Sequence, residues 1–320
     1  MADRTRVGSL LILPALALAL TSCTSSTQSR QASDAPSTST TTHDPRSATS
    51  HNFAATPTGR LITRTIPGGS TGFAPRPAVI YLPPAAQTHP SERFPVLLLL
   101  HGTKGGPTNW DTSGRAAEAL NRFAATHGGK APVVLMPDIN GSLHDDTECI
   151  RTTRGGNVER YLLDVVPAWI RTHLPVSASA RSWGVEGASE GGTCAMVLAL
   201  RASRTFSFVG DFSGLRRPTV GDTDDPAATI ARLFGGSRTA YDAHDPTVLL
   251  RRHRYPRLSA WLECGASDTA VVADQRAVGA LARRSLHAVH TSTTPGRHSW
   301  SVWRTAFASA LPRFWARGGA

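Results

Sequence analysis

Lysine is nearly absent from this chain: of 34 basic residues, only Lys104 and Lys130 are not arginine. The formal charge is nonetheless +11, against 23 acidic residues. No basic tract, no zinc-ligand spacing and no aromatic stacking motif accompanies that charge, so nucleic acid is not the expected partner. Attraction to anionic lipid headgroups or cell-wall polymers is the more economical reading. Heavy use of Arg, Ala and Thr over Lys also fits a GC-rich genome, which accounts for part of the charge without any function. Metal ligands are sparse too. His144, Asp145 and Asp146 stand together, but no second ligand group has matching spacing, so they read as a solvated loop. No metal and no cofactor is expected. Internal repeats are absent, and cysteine is limited to four residues.

Long apolar runs are scarce as well, and the first of them sets the compartment. Arg4 and Arg6 precede VGSLLILPALALAL (7–20), which is too short for a comfortable membrane span and has the length of a signal-peptide core. It ends in LTSC (20–23), which resembles the lipobox of bacterial lipoproteins, in which the cysteine is acylated and becomes the new N-terminus. Residues 1–22 are therefore expected to be a lipoprotein signal peptide, with Cys23 anchoring an extracytoplasmic protein to the membrane. Several acyl chains on one residue give a stable anchor where a single chain does not. The alternative is an ordinary secretory signal with an incidental cysteine, and a secreted protein. Residues 23–58 are rich in Ser, Thr and Pro with few large apolar side chains, the composition of a flexible tether.

From residue 59 the pattern changes. RLITRTI (60–66) and AVIYLP (78–83) read as an antiparallel strand pair. PVLLLL (95–100), APVVLMPD (131–138), SWGVEG (182–187), FSFVGDFSG (206–214), RLSAWLECG (257–265) and HAVHTST (287–293) follow as further strands. The most apolar of these are continuous rather than alternating, which marks a parallel sheet covered on both faces. Helical patterns alternate with them at 114–128, 158–174, 190–204 and 270–286. The fold class is α/β, with a mostly parallel, doubly wound sheet in one domain over 59–320. Residues 215–256 have the makings of a small cap of short helices.

Gly187-Ala188-Ser189-Glu190-Gly191 is a G-x-S-x-G between a strand and a helix, the context of a nucleophile elbow. A serine hydroxyl needs a base to take its proton, and the base needs an orienting carboxylate. Asp268 and His298 follow Ser189 in the order that this architecture uses, each in a loop after a strand. Asp211 falls inside a strand pattern, Asp274 on a helix, and His287 and His290 within a strand, so all four are weaker candidates. The backbone N–H groups of Glu190 and Thr103 are the expected oxyanion donors, with His101 as a conformational support.

LLLLHGTKGGPTNW, VVLMPDINGS, GASEGGTCA, FVGDFSG and GRHSWSVWR, in that order, resemble the esterase family of α/β-hydrolases. That family includes esterase D-like, enterochelin-esterase-like and antigen 85 mycolyltransferase proteins. The resemblance runs from about residue 60 to the C-terminus and is closest to secreted actinobacterial esterase-like proteins. It implies an α/β-hydrolase fold, Ser189 as nucleophile, Asp268 as acid, His298 as base, and Thr103 with Glu190 as oxyanion donors. Aspartate at 268 leans toward the esterases, since the mycolyltransferases use glutamate, and HGTKGG departs from their sequence in this loop. With Cys23 acylated, Cys149, Cys194 and Cys264 form an odd set in an oxidising compartment. A Cys149–Cys194 bridge would pin the intervening loop over the site; the alternative is three buried thiols. Three functions remain open: hydrolysis of a small-molecule, lipid or sugar ester, acyl transfer to a sugar hydroxyl, and non-catalytic binding on the same fold.

Overall fold

Strand β3 (Val96–Leu100) is VLLLL, and all five residues are fully buried. Val96, Leu98 and Leu100 join one apolar cluster while Leu97 and Leu99 join another, so this strand is covered on both faces. A strand with no wet face belongs at the centre of a parallel sheet. The computed structural model describes residues 57–318 except 143–144, 153–154 and 222–224. The expected signal peptide, Cys23 and nearly all of the tether lie outside the described residues, as does His144. Within them, no helix is long and apolar enough to cross a membrane.

The other strands are β1 (Arg60–Ile66), β2 (Arg76–Leu82), β4 (Val133–Pro137), β5 (Trp183–Ala188), β6 (Phe208–Phe212), β7 (Tyr255–Gly265) and β8 (Leu286–Thr294). They form one eight-stranded sheet in the order β1-β2-β4-β3-β5-β6-β7-β8. β1 pairs antiparallel with β2, and β2 antiparallel with β4; every later pairing is parallel. The carboxyl ends of β3 to β8 therefore share one end of the sheet, where parallel α/β sheets assemble their sites.

Helices α1 (Ala116–Ala125), α2 (Val166–His173), α3 (Glu190–Arg201), α4 (Pro226–Leu233), α5 (Arg238–Asp242), α6 (Pro246–Arg252), α7 (Thr269–Ser285) and α8 (Trp300–Gly318) complete the layers. One face of the sheet is packed by α2, α3 and α7 through Ile170, Leu198 and Val278. The other is packed by α1 and α8 through Leu120, Phe307 and Phe314. The sequence pattern over 158–174 predicts one helix, but the structure divides it. Pro167 has no N–H to donate, and the chain ahead of it opens into a π turn, Tyr161–Val165, before α2. Helix α8 is an addition to the predicted set: Val302, Trp303, Ala306, Phe307, Ala310, Leu311 and Phe314 form its buried stripe, with Pro312 exposed inside it. In the segment 215–256, α6 packs against α3 and α7.

Candidate active site

Ser189 stands between the end of β5 and the start of α3 with φ 58° and ψ −125°. A non-glycine residue in that region carries strain of about 1–3 kcal/mol, which the surroundings must impose. They do so by close approach. A Cβ on Gly187 would lie 2.1 Å from the Gly191 carbonyl oxygen, and one on Gly191 would lie 2.4 Å from the carbonyl oxygens of Leu100 and His101. Glycine at both positions lets β5, α3 and the end of β3 converge beneath the serine. The Ser189 N–H donates to the Phe212 carbonyl at 2.9 Å, fixing the turn to β6.

The predicted acid and base meet at this serine. His298 Nε2 lies 2.8 Å from Ser189 Oγ, and His298 Nδ1 lies 2.7 Å from Asp268 Oδ2. With Nδ1–H donating to the carboxylate, Nε2 is left to accept from the hydroxyl. Asp268 begins α7, but its side chain makes no cap bond and is free to face the histidine. Its loop is tied to the histidine loop by backbone bonds: Ser267 N–H donates to the Gly296 carbonyl (2.9 Å) and Ala266 N–H to that of Thr294 (2.8 Å). The His298 ring rests edge-on against Trp303, with ring centres 4.9 Å apart. The remaining candidates are not joined to this hydrogen-bonded chain, although Asp274 lines the same cavity as Ser189. Asp211 is buried in β6, accepts from the Gly214 N–H at 2.8 Å, and is pushed up to about 6 by burial. Asp274 is engaged by Arg216, through Nε at 3.3 Å and N–H at 3.1 Å. His287 and His290 lie on β8, and His290 stacks on Trp261.

Thr103 and Glu190 both line the cavity at Ser189, and among the described turn, loop and cap bonds the N–H of neither donates to a backbone carbonyl. A tight turn after β3 shapes this loop: Gly105 N–H donates to the Gly102 carbonyl at 3.0 Å, with Lys104 at φ 60°. His101 supports it, its Nδ1 contacting the Gly102 carbonyl at 2.9 Å while Nε2 accepts from the Ile139 N–H at 3.1 Å. The Trp110 indole N–H donates to the Leu100 carbonyl at 2.7 Å.

The Glu190 side chain is a feature that sequence reasoning missed. It is buried, and its carboxyl accepts from Asn140 Nδ2 at 2.7 Å. The Thr103 hydroxyl and the Glu148 amide also face it. Burial, aided by the charge of Asp146, pushes this carboxyl up to about 8, so it is neutral at pH 7. Glu148 beside it is likewise held well above the ordinary carboxylate range, by burial first and then by Asp146 and Glu190. Cys149 and Cys194 are joined by a disulfide, which holds the Glu148 loop against α3; Cys264 is a buried free thiol. The polar residue directly after the nucleophile was the available signal, since an ionisable group at the first position of a buried helix needs partners.

A cavity of about 510 Å³ opens onto Ser189 and His298, lined also by Thr103, Leu215, Arg216 and Thr219. A larger cleft of about 890 Å³ lies elsewhere, beside Arg151, Asn157, Phe234 and His244. It touches none of the three hydrogen-bonded residues, so chemistry rather than size identifies the site.

Sheet order, helix layers and a serine at the strand-to-helix turn define an α/β-hydrolase fold. The family model described as "Putative esterase" matches residues 74–314, and the chain belongs to that esterase family. An uncharacterized protein of Corynebacterium glutamicum is 33% identical over 261 residues, covering 80% of this chain and 60% of its own length. The chain thus spans less than two thirds of that relative. The S-formylglutathione hydrolase of Paracoccus denitrificans is 26% identical over 211 residues, covering 61% of this chain and 70% of its own. Among solved structures, a ferulic acid esterase superposes with a TM-score of 0.69 at 19% identity, over 80% of this chain and 98% of its own. That last likeness is one of fold.

Proposed function

We propose that the protein is a serine hydrolase that cleaves carboxylic esters through an acyl-enzyme. The observation that carries this reading is the unbroken hydrogen-bonded chain Ser189–His298–Asp268 opening on a cavity. Ser189 Oγ attacks the ester carbonyl carbon as His298 Nε2 takes its proton. The imidazolium that forms is stabilised by Asp268 through Nδ1–H. The carbonyl oxygen gains its negative charge beside the Glu190 and Thr103 amides, and the α3 N-terminus adds the positive end of its dipole. Collapse of the intermediate expels the alcohol, protonated by His298, and leaves the acyl group on Ser189. Water, deprotonated by the same histidine, releases the acid.

We further propose an extracytoplasmic location with Cys23 acylated, supported by LTSC at 20–23 and by the Cys149–Cys194 disulfide, which suits an oxidising compartment. A mature N-terminus that mass spectrometry finds unmodified, at a residue other than Cys23, would remove the anchor. The catalytic reading is tested with p-nitrophenyl esters of rising chain length, with and without glycerol or trehalose, on wild type and Ser189→Ala. Turnover by wild type alone is expected. Sugar-dependent loss of free acid would identify an acyltransferase, and failure of every ester to react would favour a binding protein.

A further inference from the structure

Among the described residues, the end of the sheet opposite the site carries arginines that make no ion pair. Arg181 precedes β5, Arg204 precedes β6, Arg251, Arg252 and Arg254 lead into β7, Arg257 is the third residue of β7, and Arg284 precedes β8. All seven are exposed, and among the described residues none is ion-paired. The segments holding them, 179–183, 202–207, 250–258 and 282–288, contain no Asp or Glu.

The fold gathers these segments. Ser285 Oγ donates to the Leu250 carbonyl at 2.5 Å, placing Arg284 beside the Arg251–Arg252 pair. Leu286 lies opposite Tyr255 in the sheet. Arg317 donates to the Arg257 carbonyl at 2.8 Å, and Ser182 Oγ to that of Gly318 at 2.9 Å. Ser207 Oγ reaches the Arg181 carbonyl at 2.7 Å. The arginines thus come from four chain segments, and of the seven only Arg251, Arg252, Arg254 and Arg257 are close to one another in the sequence. Arg317 is held below the ordinary arginine range by burial and then by the charge of Arg181, as expected where like charges crowd.

Strand directions supply a second observation. β1 is antiparallel to β2, and β2 to β4, so β1 begins at the amino-terminal end of β3 to β8. The chain that carries Cys23 therefore enters the domain at the end of the sheet that holds the arginines, and the cavity at Ser189 lies at the other.

We infer that this arginine face docks on anionic lipid headgroups, so that the catalytic cavity opens away from the bilayer. The inference is independent of the ester chemistry. Each arginine near an anionic bilayer adds about fivefold to partitioning, and the attraction weakens within a screening length as salt rises.

The test uses the mature chain from residue 23 with Cys23→Ser, so that no acyl chain contributes. It is sedimented with phosphatidylcholine vesicles, with and without about a third phosphatidylglycerol, at low and high salt. Salt-sensitive binding to the anionic vesicles alone is expected. Replacing Arg251, Arg252, Arg254 and Arg257 with Gln should weaken it at least about thirtyfold. Replacing the same four with Lys should retain it. Replacing Arg115, Arg122, Arg160 and Arg238, which carry the same charge but have carboxylate partners, should change it by less than about threefold. Circular dichroism and thermal melting confirm that each variant is folded. Absence of binding to anionic vesicles, equal loss in both Gln sets, or capture of duplex DNA without vesicle binding would each overturn the inference.

Discussion

Two carboxyl groups flank Ser189, and they are held in opposite ways. Asp268 stands in a loop that solvent reaches and faces the imidazole of His298 at 2.7 Å. Glu190 is buried, takes its hydrogen bond from the neutral amide of Asn140, and stays protonated at pH 7. The proposed reaction makes a cation at His298 and an anion beside the Glu190 amide. On that reading a carboxyl group is hydrogen-bonded to the developing cation, and the carboxyl beside the developing anion is kept neutral. The carboxyl function is thus placed in two different surroundings on the two sides of one serine.

The largest effect that would break this comparison is on the Asp268 side. Asp268→Asn should lower kcat by about ten-thousandfold while circular dichroism and the melting curve stay near wild type, because the imidazole loses its orienting partner. The next acts on the buried side through stability. Cys149→Ser removes a bridge across a sequence separation of 45 residues and should cost about 3–4 kcal/mol in denaturant unfolding. A variant as stable as wild type would mean that the Glu148 loop needs no pin.

Glu190→Gln sharpens the comparison further. At pH 7 glutamine matches the protonated acid, so activity should stay within about threefold. Above pH 8 the wild-type carboxyl ionises beside the developing oxyanion, and kcat/KM should fall there, whereas the variant should hold its rate. Stability follows the same group. Its folded value is raised from 4.5, so its contribution is complete below 4.5 and is lost as pH rises through about 8. The variant's stability should vary less over that interval. An alkaline limb unchanged in Glu190→Gln would detach the residue from the oxyanion side. The smallest effect is expected at Asp274→Asn, which loses an ion pair with Arg216 and should alter kcat by less than about threefold.

The Asp268 side was legible in the sequence and the Glu190 side was not. Asp268 and His298 follow strands in the order of an α/β-hydrolase, and G-x-S-x-G announces its own turn, because these features are local. The glycines at 187 and 191 could be flagged from sequence, but the carbonyls of Leu100 and His101 that exclude a side chain come from another strand. Asn140, Glu148 and Glu190 meet from three segments, and only the fold brings them together. Helix α8 was hidden because Pro312 breaks the helical pattern in sequence, yet it sits on the exposed side of the helix while the buried stripe continues past it. The arginine face was invisible for the same reason as the Glu190 cluster: its members are distant in the chain.

The central claim is that Ser189 is the nucleophile, activated by His298. The most direct measurement is to treat the protein with a fluorophosphonate and locate the adduct by peptide mass spectrometry. The account predicts a single adduct on the peptide containing Ser189, lost in Ser189→Ala and strongly slowed in His298→Ala. An adduct on another residue, such as Ser213 at the cavity wall, or labelling that persists in Ser189→Ala, would contradict it.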